Sequence, residues 1–276
     1  MKVEKKIGKA KKALITVLTV IAILASAQLF VLGWFGGIGP LGGLKNARMR
    51  RLAGNRPEYD FSKIVPLKNS PLAGRNICVL GSSVVYGSAS QQNSVGEYLA
   101  ARFDCNLTKE AVSGTTLADN GQNSYVQRML NNISGDAGFD LFICQLSTND
   151  ATRKIPLGKI SGSRNRKDFD TATVTGAMEY IICYAQETWG CPVVFFTGSR
   201  YDSAAYEAVV NRILELQEKW GIGVIDLWSS DEFNNISEAD RKIYMSDEIH
   251  PTKAGYDAVI IGLNQEKPNN QGFALI

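Results

Sequence analysis

The chain has 276 residues, 45% hydrophobic and 21% charged, which is ordinary for a folded protein and argues against wholesale disorder; the length suits one α/β domain plus an appendage. The net charge of +3 is unevenly spread: residues 1–51 carry ten Lys/Arg against Glu4 alone, a balance of +9, which leaves −6 for the rest. The basic folded face that a nucleic-acid partner requires is therefore missing. Five cysteines (Cys78, Cys105, Cys144, Cys183, Cys191) form no CxxC pair and lack zinc-site spacing, and with a single histidine, His250, only carboxylates are left as metal ligands. Neither a metal nor another cofactor is expected. Cys78 and Cys144 fall in apolar runs and read as small buried hydrophobes, whereas Cys183 and Cys191 are close enough in sequence to be bridged.

Residues 1–12 form a basic flank. Ala13–Phe35 follows as 23 residues without a formal charge, long enough at 1.5 Å per residue to cross a hydrocarbon core of about 30 Å. It reads as a transmembrane anchor with a modest bias toward a cytoplasmic N-terminus, placing the rest of the chain outside. Cleavage of a signal peptide after Ala25-Ser26-Ala27 is the competing reading, and it also exports the domain. A buried helix is the third. Residues 36–75 are rich in Gly, Pro and polar residues and read as a linker. The folded domain is expected over residues 76–265, with a tail at 266–276.

Within that domain, short β-branched runs (Ile77–Leu80, Asp140–Gln145, Val193–Thr197, Gly223–Leu227) alternate with helical stretches (Ser94–Phe103, Tyr125–Ile133, Phe169–Thr188, Ser203–Trp220, Thr252–Leu263). This is the pattern of βαβ units around a parallel sheet. Ala205, Val209, Ile213, Leu216 and Trp220 recur at helical spacing and give one core-facing stripe. Thr152–Lys167, with six basic residues and no period, reads as a long solvated loop.

Open parallel sheets bind ligands at the carboxyl ends of their strands, so the residues there are the first candidates. They are Gly81-Ser82-Ser83-Val84-Val85-Tyr86-Gly87 after the Ile77–Leu80 run, Ser113-Gly114-Thr115-Thr116 as a second block before the Asp140–Gln145 run, and Ser147-Thr148-Asn149-Asp150 as a third block after that run. Asp247-Glu248-Ile249-His250-Pro251 stands near the C-terminus. A serine hydroxyl becomes a useful nucleophile only when a base takes its proton, and histidine serves near neutral pH because its reference pKa is about 6.5. An acid three residues before His250 is well placed to orient the ring. Thr197-Gly198-Ser199-Arg200-Tyr201 also lies at this edge, and Arg200 and Tyr201 are candidate pocket residues.

The order and spacing of the four blocks resemble those of the SGNH/GDSL hydrolases, over residues 76 to about 263. The resemblance implies a three-layer flavodoxin-like α/β sandwich with about five parallel strands. It also implies Ser83 as nucleophile, His250 as base and Asp247 as its orienting acid. The oxyanion hole would comprise the Ser83 and Gly114 backbone N–H groups and the Asn149 side chain. Ser82 stands where the family usually has Asp, and Ser147 where it usually has Gly; the register from Gly81 to Gly87 selects Ser83 over Ser82. Asp150 is expected to hold the loop. The implied protein is a membrane-tethered, exported serine esterase acting through an acyl-serine, with O-acetyl esters of surface carbohydrate as the expected substrates. Lipid esters, acyl transfer to glycan hydroxyls and a non-catalytic scaffold on the same fold are the alternatives.

Overall fold

The computed structural model describes residues 2–37 and 39–258, divided into two compact units between Arg51 and Leu52. In the first unit, helix α1 (Lys2–Val31) runs into a π-helical turn, Leu32–Gly36, and is closed by left-handed Gly37; α2 (Gly43–Arg50) follows. Lys11–Trp34 is apolar over 24 residues and meets the length requirement of a membrane span. Leu14, Leu18, Ile21 and Leu24 project outward unburied. The hydroxyls of Thr16 and Thr19 donate to the carbonyls four residues earlier, so these two polar groups are satisfied within the helix.

The second unit is built on five parallel strands, β1 (Asn76–Gly81), β2 (Asn106–Ala111), β3 (Leu141–Gln145), β4 (Val193–Phe196) and β5 (Gly223–Ile225), in the order β2-β1-β3-β4-β5. That is the flavodoxin-like order, in which the chain reverses direction across the sheet between β1 and β3. Side chains alternate between the faces. Cys78, Leu80, Phe142, Cys144, Val193 and Phe195 join one buried cluster, whereas Ile77, Val79, Leu141, Ile143, Val194 and Phe196 join the other. The first face is covered by α5 (Tyr125–Asn132), α7 (Val174–Thr188) and α8 (Ala204–Trp220), the second by α4 (Val95–Phe103). Three layers result. Short helices α3 (Ser83–Tyr86), α6 (Thr148–Thr152), α9 (Asp231–Asn234) and α10 (Glu238–Tyr244) stand among the loops.

The helix starts carry their own caps. Ser94 and Glu97 form a reciprocal capping box on α4, and the Ser203 hydroxyl accepts from the Tyr206 N–H on α8. Helix α7 begins five residues later than the sequence pattern suggests, because the Thr173 side chain caps the Gly176 N–H and residues 170–173 are spent on the turn before it. Residues 253–258 are helical; the remainder of the helix expected to Leu263 and the tail at 266–276 lie outside the described residues.

Two expectations need correction. Residues 52–75 pack as part of the second unit: Phe61 and Leu72 are buried, Phe61 lies edge-on to Tyr98, and the Asn55 side chain donates to the Ala89 carbonyl while accepting from the Lys253 N–H. Gly54 touches the Ile243 carbonyl so closely that a Cβ would stand 1.9 Å from it. The composition of a linker concealed these few anchoring residues. Nor is Thr152–Lys167 simply solvated. Arg164 lies over Trp220, and the Ser161 and Ser163 carbonyls accept from Lys219, which also pairs with fully buried Glu179.

Candidate active site

Strand β1 delivers the chain to a tight turn that exposes little of its two serines, Ser82 being buried outright and Ser83 8% exposed. The bracketing glycines are steric requirements. A Cβ on Gly81 would stand 2.3 Å from Val85, and left-handed Gly87 (φ +76°) passes against the Asn93 carbonyl. Gln145, the last residue of β3, reaches across and accepts from the N–H groups of Ser82 (2.9 Å) and Val85 (3.2 Å), which satisfies donors at the start of α3. Beneath the turn, buried Arg128 of α5 donates to the Gly81 carbonyl at 2.8 Å and to the Thr115 hydroxyl at 3.1 Å, and it pairs with Glu110 at 3.0 Å.

The Ser83 Oγ lies 2.8 Å from His250 Nε2, and His250 Nδ1 lies 2.8 and 2.9 Å from the two Asp247 oxygens. With the Nδ1 proton directed to the carboxylate, Nε2 presents its lone pair to the serine hydroxyl. Asp247 also accepts from the Ile249 and His250 N–H groups at 2.9 and 2.8 Å. Burial alone would raise the Asp247 carboxyl; the hydrogen bond and charge of His250, with the two backbone donors, outweigh it and leave the group below its ordinary value. The loop itself is clamped by a Met245–Pro251 bridge and by the Ser199 hydroxyl donating to the Glu248 carbonyl.

Asn149 Nδ2 donates to the Thr115 carbonyl at 3.0 Å and lies 3.3 Å from Ser82 Oγ, which brings the third block beside the Ser82–Ser83 turn. Gly114 adopts φ +80°, a conformation that suits glycine, one residue before that carbonyl. Both departures from the family pattern have local partners: Ser82 faces Asn149, and the Ser147 hydroxyl donates to the Thr115 carbonyl while accepting from the Asn149 N–H. Asp150 is buried and accepts from the Leu117 and Ala118 N–H groups at 2.8 and 3.0 Å. Burial raises its carboxyl against the pull of those donors, and its contacts are those of a loop clamp.

Ser83, His250, Asp247, Asn149 and Gly114 thus gather at the carboxyl edge of β1, β2 and β3 and the loop facing it. Arg200 is engaged elsewhere: its guanidinium holds the Trp228 and Ser229 carbonyls and Asp231, clamping the approach to α9. Tyr201 stacks with Tyr206 and meets Trp228 edge-on. The supporting residues Gln145 and Arg128 escape the motif reading. A polar residue ending an otherwise apolar strand is a signal for the first, and an arginine on the same helical face as Tyr125 and Met129 is one for the second.

The family model for GDSL-like lipases and acylhydrolases matches residues 79–258, so this chain belongs to the GDSL-like lipase/acylhydrolase family. Among solved structures, the chain is similar to a protein from Lactobacillus plantarum, with 21% identity, a TM-score of 0.58 and coverage of 70% of this chain and 95% of that one. It is also similar to a GDSL-like lipase from Bacteroides ovatus, with 16% identity, a TM-score of 0.53 and coverage of 70% and 97%. These likenesses show the fold. No curated protein matches the chain.

Proposed function

We propose that the protein is an exported serine esterase, tethered by α1, that hydrolyses O-acetyl esters of surface carbohydrate through an acyl-serine. The observation that carries the reading is the continuous contact from Ser83 Oγ through the His250 ring to Asp247, each link at 2.8 Å. In the first half-reaction His250 Nε2 takes the hydroxyl proton as Oγ bonds to the ester carbonyl carbon, and the imidazolium returns that proton to the departing alcohol. Water then repeats the sequence on the acyl-serine, releasing the acid and restoring Ser83. The Ser83 and Gly114 N–H groups and the Asn149 amide would share the charge on the carbonyl oxygen. Arg200 and Tyr201 are given no part in that chemistry, because their side chains are committed to α9 and the Trp228 cluster.

The tether is supported by the helix itself, which continues without a break through Ala25, Ser26 and Ala27 to Val31 and keeps its apolar side chains outward. Retention of Met1 or its neighbours at the mature N-terminus is expected; a chain beginning at Gln28 would remove the anchor. The enzymatic reading is tested with the full chain in nonionic detergent. The wild type should hydrolyse p-nitrophenyl acetate and take a fluorophosphonate label, and Ser83→Ala should do neither. Failure of the wild type in both assays makes the scaffold reading the better one.

A further inference from the structure

Beside the site lies a second concavity that the hydrolytic chemistry does not use. It is a cleft of about 340 Å³ between the Ser113–Thr115 loop, the 120–124 turn and Arg153. Its walls are amides, hydroxyls and backbone, with Val112 the one large apolar side chain, and they contain no carboxylate. Asp119, next to it in sequence, is already taken by the Ser124 hydroxyl and the Gln127 amide. The side chains of Gln122 and Asn123 are exposed and make no hydrogen bond to protein among the described residues.

Arg153 is the charge in this cleft. It follows Asn149 by four residues across α6, a separation that puts two side chains on one helical face, and its backbone N–H bonds the Asn149 carbonyl. One guanidinium nitrogen donates to the Gly114 carbonyl at 2.6 Å. Among the described residues no carboxylate lies within ion-pair distance of it, although Arg75, Arg128, Arg166, Arg200 and Arg212 each have one. The other guanidinium N–H groups make no hydrogen bond to protein among the described residues, and their planar arrangement suits a carboxylate.

Gly114 belongs both to the cleft wall and to the proposed oxyanion set, so the cleft adjoins the place that the ester carbonyl oxygen would take. An acetyl methyl gains nothing from amide and hydroxyl walls. A separate cavity of about 60 Å³ on the α4 side of the sheet is largely apolar, and Val84, Ile249 and Pro251 in its wall are the chain neighbours of Ser83 and His250. A polar ring with several hydroxyls matches the cleft, and an anionic group on it matches Arg153.

We propose that this cleft receives the alcohol part of the ester, a sugar that carries a carboxylate, and that Arg153 is a specificity-determining residue pairing with that carboxylate. The inference rests on the esterase reading for the chemistry but not for the binding. Phospholipid, whose phosphate would also suit a guanidinium, is disfavoured by the polar walls.

Binding is read by calorimetry on full-length Ser83→Ala protein in nonionic detergent, which removes turnover. The probes are an O-acetylated oligogalacturonate and the same glycan with its carboxyls reduced. The acidic probe should bind about fivefold more tightly, in keeping with an exposed charge-assisted pair. The preference should vanish in Ser83→Ala/Arg153→Gln, survive in part in Ser83→Ala/Arg153→Lys, and shrink at about 0.5 M salt, where charges are screened within a few ångströms. Equal binding of the two glycans, or a preference that survives Arg153→Gln, overturns the proposal, as does tighter binding of anionic phospholipid vesicles than of the acidic glycan. Wild-type protein that hydrolyses no ester while the Ser83→Ala protein keeps its preference removes the esterase reading and leaves the cleft. Hydrolysis of p-nitrophenyl acetate without any glycan preference does the reverse.

Discussion

Ser82 and Ser83 are 0% and 8% exposed and are held from below and beside by Arg128, Gln145 and Asn149, residues from three other elements. Asp247 and His250 keep 54% and 25% of their side chains in solvent, and their loop is held chiefly by its own backbone, with Ser199 as an outside strut. One half of the site is over-determined by the fold, while the other is a short self-bonded loop set against it. The difference bears on motion and on mutation. The Ser82–Ser83 turn can shift only if the ends of β1 and β3 shift with it, whereas the loop from Met245 to Pro251 is joined to the rest by fewer ties, Ser199 and the packing of Ile249 and Pro251.

The largest effects should come from the reacting groups on either side of this divide. Ser83→Ala and His250→Ala should each lower kcat for p-nitrophenyl acetate by about 10⁴-fold or more, with no second histidine to substitute. Equal residual rates for the two variants would show that they act as one unit; a mild His250→Ala variant would detach the loop from the chemistry.

Asp247→Asn should cost about 10³-fold in kcat by disturbing the ring's tautomer and orientation. It also supplies a pH test. The native Asp247 carboxyl is held below its ordinary value, so its contribution to stability is complete above the unfolded carboxylate value of about 3.9 and is lost as pH falls through the native one. In urea titrations, wild type should therefore exceed Asp247→Asn in stability near neutral pH, and the gap should close under strong acid.

Asn149→Ala removes an oxyanion donor in the proposed scheme and should lower kcat by about 10² to 10³-fold with a smaller change in KM. For Arg128→Met the expected loss is in the fold. Glu110, the Gly81 carbonyl and the Thr115 hydroxyl all lose a partner, for about 3 kcal/mol and a fall in Tm of about 10 °C. Ser199→Ala should be the mildest, about 1 kcal/mol, because it removes one neutral hydrogen bond from the loop. If Ser199→Ala proved costlier than Arg128→Met, the contrast between the two halves would be reversed.

The same contrast governs what could be read in the chain. Asp247 and His250 are three residues apart and bond within that span, and the Gly81 to Gly87 turn is likewise local, so both leave recognisable strings. Arg128 and Gln145 touch residues 47 and 63 positions away, so the polar end of β3 and the arginine on the buried face of α5 mark that a contact is made but not with what. Strand β2 is absent from the apolar runs because it is an edge strand, where Lys109 and Glu110 sit at positions that a central strand would give to hydrophobes. Alternation of β-branched runs with helices was enough for the parallel sheet, since burial on both faces leaves β1, β3 and β4 nearly free of polar residues. The segment from Leu52 to Arg75 misled for the opposite reason: its hold on the domain rests on Asn55, Phe61 and Leu72, scattered through polar chain.

All five cysteines are free thiols and all are buried. Burial pushes the Cys78 thiol up to about 12 and the Cys183 thiol to about 11, and raises Cys144 on β3 as well. Alkylating reagents attack the thiolate, so in the closed molecule these positions are shielded twice, by access and by protonation. The wild-type sheet thereby carries its own reporters: the rate at which Cys78 and Cys144 take up an alkylating mass tag measures how often β1 and β3 part, with no engineered label and no change to the site between them.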